Sequence, residues 1–176
     1  MNRIIIYGSN YGTTKQYAEE LSRKTNIQAI PFKMVDQKIN NYDIIIYLGG
    51  LYAGGVLGMS KTIKKLNNIS NKEIIIATVG LSDPTDDVNK NNIRNNIKSQ
   101  LPKEVFEKAK IFHLRGGIDY SKLHFAHKTM MKLLYNAVKN LPEERQTAEN
   151  KAMIETYNKK VDFIDFSSLD QIINEI

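Results

Sequence analysis

The 176-residue chain contains no cysteine and no tryptophan, and only three of its residues are histidines. Without cysteine it cannot form a disulfide, present a thiolate nucleophile or ligate an iron–sulfur cluster. With so few histidines we predict no metal site. No apolar run approaches the roughly 18 residues of a membrane span, and because a strand pattern begins at residue 3 we expect no signal peptide. We therefore predict a single cytoplasmic domain over residues 1–176.

The net charge of +6 is concentrated in one segment. Residues 108–139 contain seven lysines and arginines but one acid, Asp119, and also all three histidines. Such a segment can be a solvated helix face, can attract an acidic substrate or redox partner, or can lie on an anionic membrane surface at the inner face of the membrane. The sequence leaves these alternatives open. No nucleic-acid motif accompanies the charge, so we predict no nucleic-acid partner.

Hydrophobic runs alternate with helical patterns along most of the chain. Four strong runs begin near residues 4, 43, 72 and 110, and a weaker run spans 27–32. The isoleucine-rich runs are typical of parallel strands that are buried on both faces. Helical patterns lie between the runs at 13–24 and 88–100, and the run that begins near residue 43 ends at Gly49 and Gly50. A further helix is predicted over 121–139, with an apolar stripe formed by Leu123, Ala126, Met130, Leu134, Ala137 and Val138. We therefore predict an α/β fold, a doubly wound parallel sheet of five strands with helices on both faces.

A short loop rich in glycine and hydroxyl groups connects the first strand to the first helix. Its residues are Ser9, Asn10, Tyr11, Gly12, Thr13 and Thr14. A helix N-terminus offers unpaired N–H groups and a positive dipole to a phosphate, and the three hydroxyl groups could add donors. The alternative is that Ser9 or Thr13 only caps the helix. The glycine spacing matches neither the Walker loop nor the dinucleotide fingerprint, which excludes those two phosphate sites.

Three further loops contain glycine and follow predicted strands. Because ligands of open parallel sheets bind beyond the carboxyl ends of the strands, these loops are candidate binding elements. Glycine lets the backbone approach a flat ligand, and Tyr52 could stack on an aromatic ring or pack against a neighbouring loop. The candidates are Leu51, Tyr52, Ala53, Gly54, Gly80, Leu81, Ser82, Asp83, Gly116 and Gly117.

The first loop resembles the FMN phosphate loop of flavodoxins, which reads Ser/Thr-x-Thr/Tyr-Gly-x-Thr. Ser9, the pair Tyr11-Gly12 and Thr14 carry the match. The resemblance implies a flavodoxin-like sheet of strand order 2-1-3-4-5 and a non-covalently bound FMN. It implies that residues 9–14 hold the phosphate and that 51–54 line one side of the flavin ring. It also implies that 80–83 approach the other side or the pyrimidine edge, and that 116–117 contact the ring or the substrate.

Residues 113–123 and the basic, methionine-rich helix after them resemble an insert of the flavodoxin-like, menaquinone-dependent protoporphyrinogen dehydrogenases. They also resemble the flavodoxin domain proteins of anaerobic bacteria. The resemblance implies an FMN-dependent oxidoreductase in which a basic helical insert at about 116–140 serves the quinone or porphyrinogen side of the site. The alternative is an electron carrier that binds FMN without substrate chemistry. Flavodoxin carriers are acidic, so the pI of about 9.3 favours the enzyme. We assign no catalytic residue.

Overall fold

The computed structural model describes residues 1–52 and 54–176. The strands are β1 Arg3–Gly8, β2 Ala29–Pro31, β3 Ile44–Tyr52, β4 Gly55–Val56, β5 Glu73–Gly80, β6 Lys110–Arg115, β7 Gly117–Asp119 and β8 Lys160–Asp162. The helices are α1 Thr13–Thr25, α2 Met59–Ile63, α3 Asp87–Gln100, α4 Lys103–Lys108, α5 Phe125–Val138, α6 Ala148–Thr156 and α7 Asp170–Ile173. Within the described ranges, no helix combines the length and the apolar character needed to cross a bilayer.

The central sheet contains five parallel strands in the order β2-β1-β3-β5-β6. This arrangement confirms the predicted α/β fold, and it is the order 2-1-3-4-5 when only the parallel strands are counted. The sequence did not predict β4, which pairs antiparallel with the end of β3. We expected β3 to end at Gly49 and Gly50, but the strand continues to Tyr52 and turns back as a hairpin.

The isoleucine runs build hydrophobic cores on both faces of the sheet. Ile4 and Ile6 belong to one buried cluster, whereas Ile5 between them belongs to the other. Successive side chains of a strand point to opposite faces, so a continuous apolar run is what a strand covered on both sides requires. Helix α1 covers the second face with Tyr17 and Leu21, both fully buried. The packed sheet fixes the positions of the loops at its carboxyl edge.

A second, two-stranded sheet supports the basic segment. β7 and β8 pair antiparallel, with Ile118 opposite Val161, and α5 and α6 lie between them in the sequence. We predicted a helix over 121–139, but α5 begins only at Phe125. Residues 120–122 instead form a 3₁₀ turn, because the Asp119 carboxylate accepts a hydrogen bond from the Ser121 N–H at 3.0 Å.

Candidate functional site

A cavity of about 360 Å³ lies at the carboxyl ends of β1, β3, β5 and β6. Loops that are far apart in the sequence meet there, as expected for an open parallel sheet. The predicted site residues that line the cavity are Ser9, Asn10, Tyr11, Thr13, Thr14, Leu51, Tyr52, Gly54, Gly80, Leu81, Ser82, Gly116 and Gly117. The structure therefore brings residues of all four predicted loops to one place. That they contact FMN stays a prediction.

The remaining predicted residues have different positions. Gly12 lies in the first loop but does not line the cavity, and Ala53 lies outside the described residues. The structure does not bring Asp83 to the cavity: this residue is exposed, and its carboxylate accepts hydrogen bonds from the hydroxyl and N–H groups of Thr85 at 2.7 and 2.8 Å. These two hydrogen bonds lower the pKa of the Asp83 carboxyl from its usual value. Asp83 therefore acts as a turn residue within its loop.

The first loop enters α1 through a glycine. Gly12 is the N-cap of α1 with a φ of 98°, and no side chain caps the helix, so the alternative in which Ser9 or Thr13 caps it is wrong. The Ser9 hydroxyl instead accepts a hydrogen bond from the Gly12 N–H at 3.1 Å. Thr13 Oγ1 donates to the Gly117 carbonyl at 3.3 Å. Since a hydroxyl group has one proton, Ser9 and Thr14 are better placed than Thr13 to donate to a phosphate.

The floor of the cavity contains two glycines that are closely packed against neighbouring side chains. A Cβ added to Gly80 would lie 2.8 Å from Leu51 Cδ1, and one added to Gly116 would lie 2.7 Å from Val79 Cγ1. Real Cβ atoms do not approach other heavy atoms this closely, so neither position accepts a side chain without displacing its neighbours. The strand ends can therefore approach a planar ring through their backbone alone.

Arg115 fixes the third loop against the end of β6. Its Nε donates to the Leu81 carbonyl at 3.1 Å, and its guanidinium carbon lies 3.9 Å from the centre of the Phe163 ring. The Gly116 N–H donates to the Gly80 carbonyl at 2.7 Å. These contacts hold the loop that follows β5 in a defined position without occupying the cavity.

Helices α3, α5 and α6, together with Ile118 of β7 and Leu123 just before α5, form an apolar roof over the cavity. The family resemblance had placed the insert at about 116–140 beside the site, whereas the contributions of α3 and α6 to this wall were not predicted. The roof is lined by Ile93, Ile118, Leu123, Met130, Met131, Leu134, Ala152 and Met153, with Asn89, Asn96, His127 and Glu149 as its polar members. Met130 and Leu134 belonged to the predicted apolar stripe of α5, but His127 was not assigned to that face. The concentration of methionine in α5 was the signal available in the sequence, since methionine adapts to irregular ligands.

His127 joins α5 to the two loops that contain tyrosine. Its Nδ1 is hydrogen-bonded to the Tyr11 hydroxyl, and its ring centre lies 4.9 Å from that of Tyr52. The backbone N–H of His124 also donates to the Tyr11 hydroxyl, at 3.3 Å. Tyr52 thus lines the cavity and packs against His127. One side chain therefore connects the roof to the first two loops.

A protein-family comparison identifies the fold family. The model of the family described as "Flavodoxin domain" matches residues 4–145, which is most of the chain. The matched region includes all four loops of the cavity and helix α5. Among proteins with curated descriptions, no sequence is significantly similar to this chain.

Solved structures of flavodoxins and flavoproteins resemble the chain more distantly. Oxidised flavodoxin 2 from Bacillus cereus is 14% identical and has a TM-score of 0.46, with 65% of this chain and 84% of that chain covered. A variant flavodoxin from Fusobacterium nucleatum, bound to flavin mononucleotide, is 14% identical with a TM-score of 0.45 over 70% and 73% of the two chains. A flavoprotein from Lactobacillus acidophilus in complex with FMN is 14% identical with a TM-score of 0.41 over 65% and 91%.

Proposed function

This chain belongs to the flavodoxin domain family, and from that premise we propose that it is an FMN-binding flavoprotein. The observation that carries the proposal is the meeting of a hydroxyl-bearing helix N-terminus and a glycine floor in one cavity. A helix N-terminus attracts the phosphate, and the floor at Gly80 and Gly116 offers backbone to a flat ring. The donor groups and shape of the residues present therefore fit FMN.

The chain's own residues would bind and orient the cofactor. Ser9 and Thr14 would donate to the phosphate, because the Ser9 hydroxyl keeps its proton while accepting from Gly12. Leu51 and Tyr52 would contact one side of the ring, and residues 80–82 its other side. When bound, FMN supplies the redox chemistry, and the protein controls orientation and access.

The first experiment is an absorbance spectrum of the purified protein before and after incubation with FMN. We expect a flavin spectrum that stays with the protein through gel filtration. A protein that remains colourless after incubation with excess FMN would contradict the proposed cofactor. Acid then releases the bound flavin, and chromatography shows whether it is FMN or another flavin.

Replacing Thr14 with alanine should weaken FMN binding. Thr14 is 3% exposed and lines the cavity at the start of α1, so its substitution removes one donor to the phosphate. We expect a loss of roughly 1–3 kcal/mol in binding free energy, measured by fluorescence titration of the apoprotein.

Thr25→Ala is the matched control for Thr14→Ala, because Thr25 lies at the opposite end of α1 and donates to the Leu21 carbonyl at 2.7 Å. The control variant should bind FMN as the unmodified protein does. Equal affinity in the Thr14 and Thr25 variants would remove Thr14 from the phosphate site.

The apolar roof supports an enzyme rather than an electron carrier. A carrier exchanges electrons through an exposed cofactor edge, whereas an enzyme needs space for a substrate beside the ring. Met130, Met131 and Met153 face the cavity from α5 and α6, and such flexible apolar side chains suit an apolar ring compound. We propose an FMN-dependent oxidoreductase that oxidises protoporphyrinogen or a similar substrate, with a quinone or another acceptor receiving the electrons.

Two lysines of α5 lie on the side of the helix that faces away from the cavity. Lys128 and Lys132 are exposed and do not line the cavity, since Met130 and Met131 occupy the inner face of the helix. A substrate under the roof would therefore be recognised mainly by its apolar surface. Carboxylate groups on a larger substrate would have to extend beyond the cavity to reach these lysines.

Replacing Met130 with glutamine tests the substrate role of the roof. We expect the holoprotein, reduced chemically without oxygen, to be reoxidised by a naphthoquinone with a KM about tenfold higher, which corresponds to about 1.4 kcal/mol. The measurement is stopped-flow absorbance at several quinone concentrations. FMN affinity should change little, because the phosphate loop is unaltered.

The control for the roof variant is Leu133→Gln on the same helix. Leu133 is 66% exposed, so the same polar group placed there lies in solvent and should leave the KM unchanged. If the Met130 variant kept the unmodified KM, or if both variants raised it equally, the roof would not bind the acceptor.

A further inference from the structure

A second concave surface lies on the side of α5 that faces away from the roofed cavity. This groove has a volume of about 860 Å³ and is open to solvent on one side. Helix α5 forms one wall, and the turn between α6 and β8 forms the other. It is lined by Asp119, Tyr120, Ser121, Phe125, Lys128, Thr129, Lys132, Tyr157, Asn158, Lys159 and Lys160.

The groove is mainly positively charged. Lys128 and Lys132 contribute from α5, while Lys159 and Lys160 contribute from the opposite wall. In the described part of the chain, none of these four ammonium groups forms an ion pair with a carboxylate. Asp119 is the one acid in the lining, and its carboxylate already accepts hydrogen bonds from the N–H and hydroxyl groups of Ser121. With four lysines and one carboxylate, the lining of the groove carries a net charge of +3.

Aromatic side chains supply an apolar surface between these charges. Phe125 is 85% exposed, which is unusual for so large an apolar group. Tyr157 is stacked on Tyr135 of α5, with ring centres 3.9 Å apart and planes inclined by 6°. Tyr120 also packs against Tyr157 in a T-shaped arrangement, with ring centres 5.4 Å apart. This wall is held in place by its own contacts and leaves Phe125 available to a ligand.

We propose that this groove docks an acidic segment of a partner protein. Carboxylates of the segment would pair with lysines on both walls, and an apolar side chain would pack on Phe125. Lysines on two facing walls suit a chain that enters the groove, whereas a flat bilayer would reach only its rim. Charge complementarity of this kind gives specificity and rapid association. The proposal does not depend on FMN binding, because no residue of the phosphate loop lines the groove.

The groove and the roofed cavity lie on opposite sides of the same helix, α5. Lys128 and Lys132 contact the groove from one side of α5, and His127 and Met130 line the cavity from the other. A helix is only about 10 Å across with its side chains. A docked segment would therefore bear on the helix that covers the proposed flavin site.

The test measures binding of a fluorescein-labelled synthetic peptide of alternating glutamate and leucine by fluorescence anisotropy. We expect saturable binding that weakens as salt rises, because ionic screening reduces the attraction between charges. The double variant K128E/K132E should bind at least tenfold more weakly. Phe125→Ser should weaken binding several-fold without changing the salt dependence. Amide shifts in NMR spectra should concentrate in residues 119–132 and 157–160.

The control K61E/K64E makes the same change in net charge at a different surface. Both lysines are exposed and neither lines the groove, so this variant should bind the peptide nearly as well as the unmodified protein. An equal loss in both double variants would reduce the effect to overall charge and overturn the proposal. Absence of peptide binding would also overturn it. The proposal would also be overturned if K128E/K132E lost binding to phosphatidylglycerol vesicles but still bound the peptide as the unmodified protein does.

Discussion

Replacing Gly8 with alanine should destabilise the protein by about 3 kcal/mol or more, as measured by urea unfolding of the apoprotein. The new Cβ would lie 2.0 Å from the Leu57 carbonyl oxygen and 3.0 Å from the Tyr47 hydroxyl. Strand β1 cannot move aside, because it is paired with β2 on one edge and with β3 on the other. The Tyr47 hydroxyl also donates to the Leu57 carbonyl, so the substitution would disturb a partly buried hydrogen bond.

The same substitution should also reduce FMN binding. Gly8 immediately precedes the first loop, and Leu57 lines the cavity from the hairpin formed by β3 and β4. A displacement of either strand end would move the phosphate loop relative to the second loop. We expect weaker binding in fluorescence titration even under conditions where the variant remains folded by circular dichroism.

Gly54→Asn is the control for the Gly8 variant. Gly54 has a φ of +76°, and among the described residues other than its chain neighbours no heavy atom lies within 4 Å of the position that an added Cβ would take. Asparagine tolerates this left-handed conformation better than other side chains, so we expect a change in stability within about 0.5 kcal/mol. If both substitutions cost the same, close packing of the strand ends would not explain the need for glycine at Gly8.

The central sheet could be predicted from the sequence because its physical cause is local. Isoleucine runs are required wherever a strand is covered on both faces, and each run lies within a few consecutive residues. The loops at the carboxyl ends followed from the strands, so their meeting in one cavity was predictable too. The hairpin of β4 was not, since a two-residue strand such as Gly55–Val56 leaves no periodic pattern.

The roof and the groove could not be located from sequence because they depend on long-range contacts. The apolar stripe of α5 contained Met130 and Leu134, which line the cavity, but no residue of this helix is buried, and the stripe did not show what it covers. Helix α5 begins only at Phe125, and His127 lies on the same side of it as Met130 and Met131, since all three line the cavity. The partners that fix this orientation, Tyr11 and Tyr157, lie at distant positions in the sequence.

The stability of the protein should also depend on the protonation of His113. This residue lies on β6, and its Nδ1 is 2.7 Å from the Thr78 hydroxyl. Burial, together with the positive charges of Lys90 and Arg94, lowers the pKa of His113 to about 4. An unfolded chain has a histidine pKa near 6.5. Between pH 6.5 and pH 4 the unfolded state therefore binds more protons, so the free energy of unfolding falls as the pH falls through this window.

The variant His113→Gln isolates this contribution because glutamine does not titrate and its amide can still bond to Thr78. Because solvent partly screens this imidazole, the unmodified protein should lose roughly 1–2 kcal/mol from pH 7 to pH 4 that the variant retains, measured by urea unfolding at each pH. Carboxyls with lowered pKa values, such as Asp83 and Asp165, affect stability mainly below this window and equally in both proteins. His124→Gln, at an exposed position, should keep the profile of the unmodified protein. If the His113 variant had the same pH profile as the unmodified protein, the imidazole of His113 would not be the group whose protonation opposes folding.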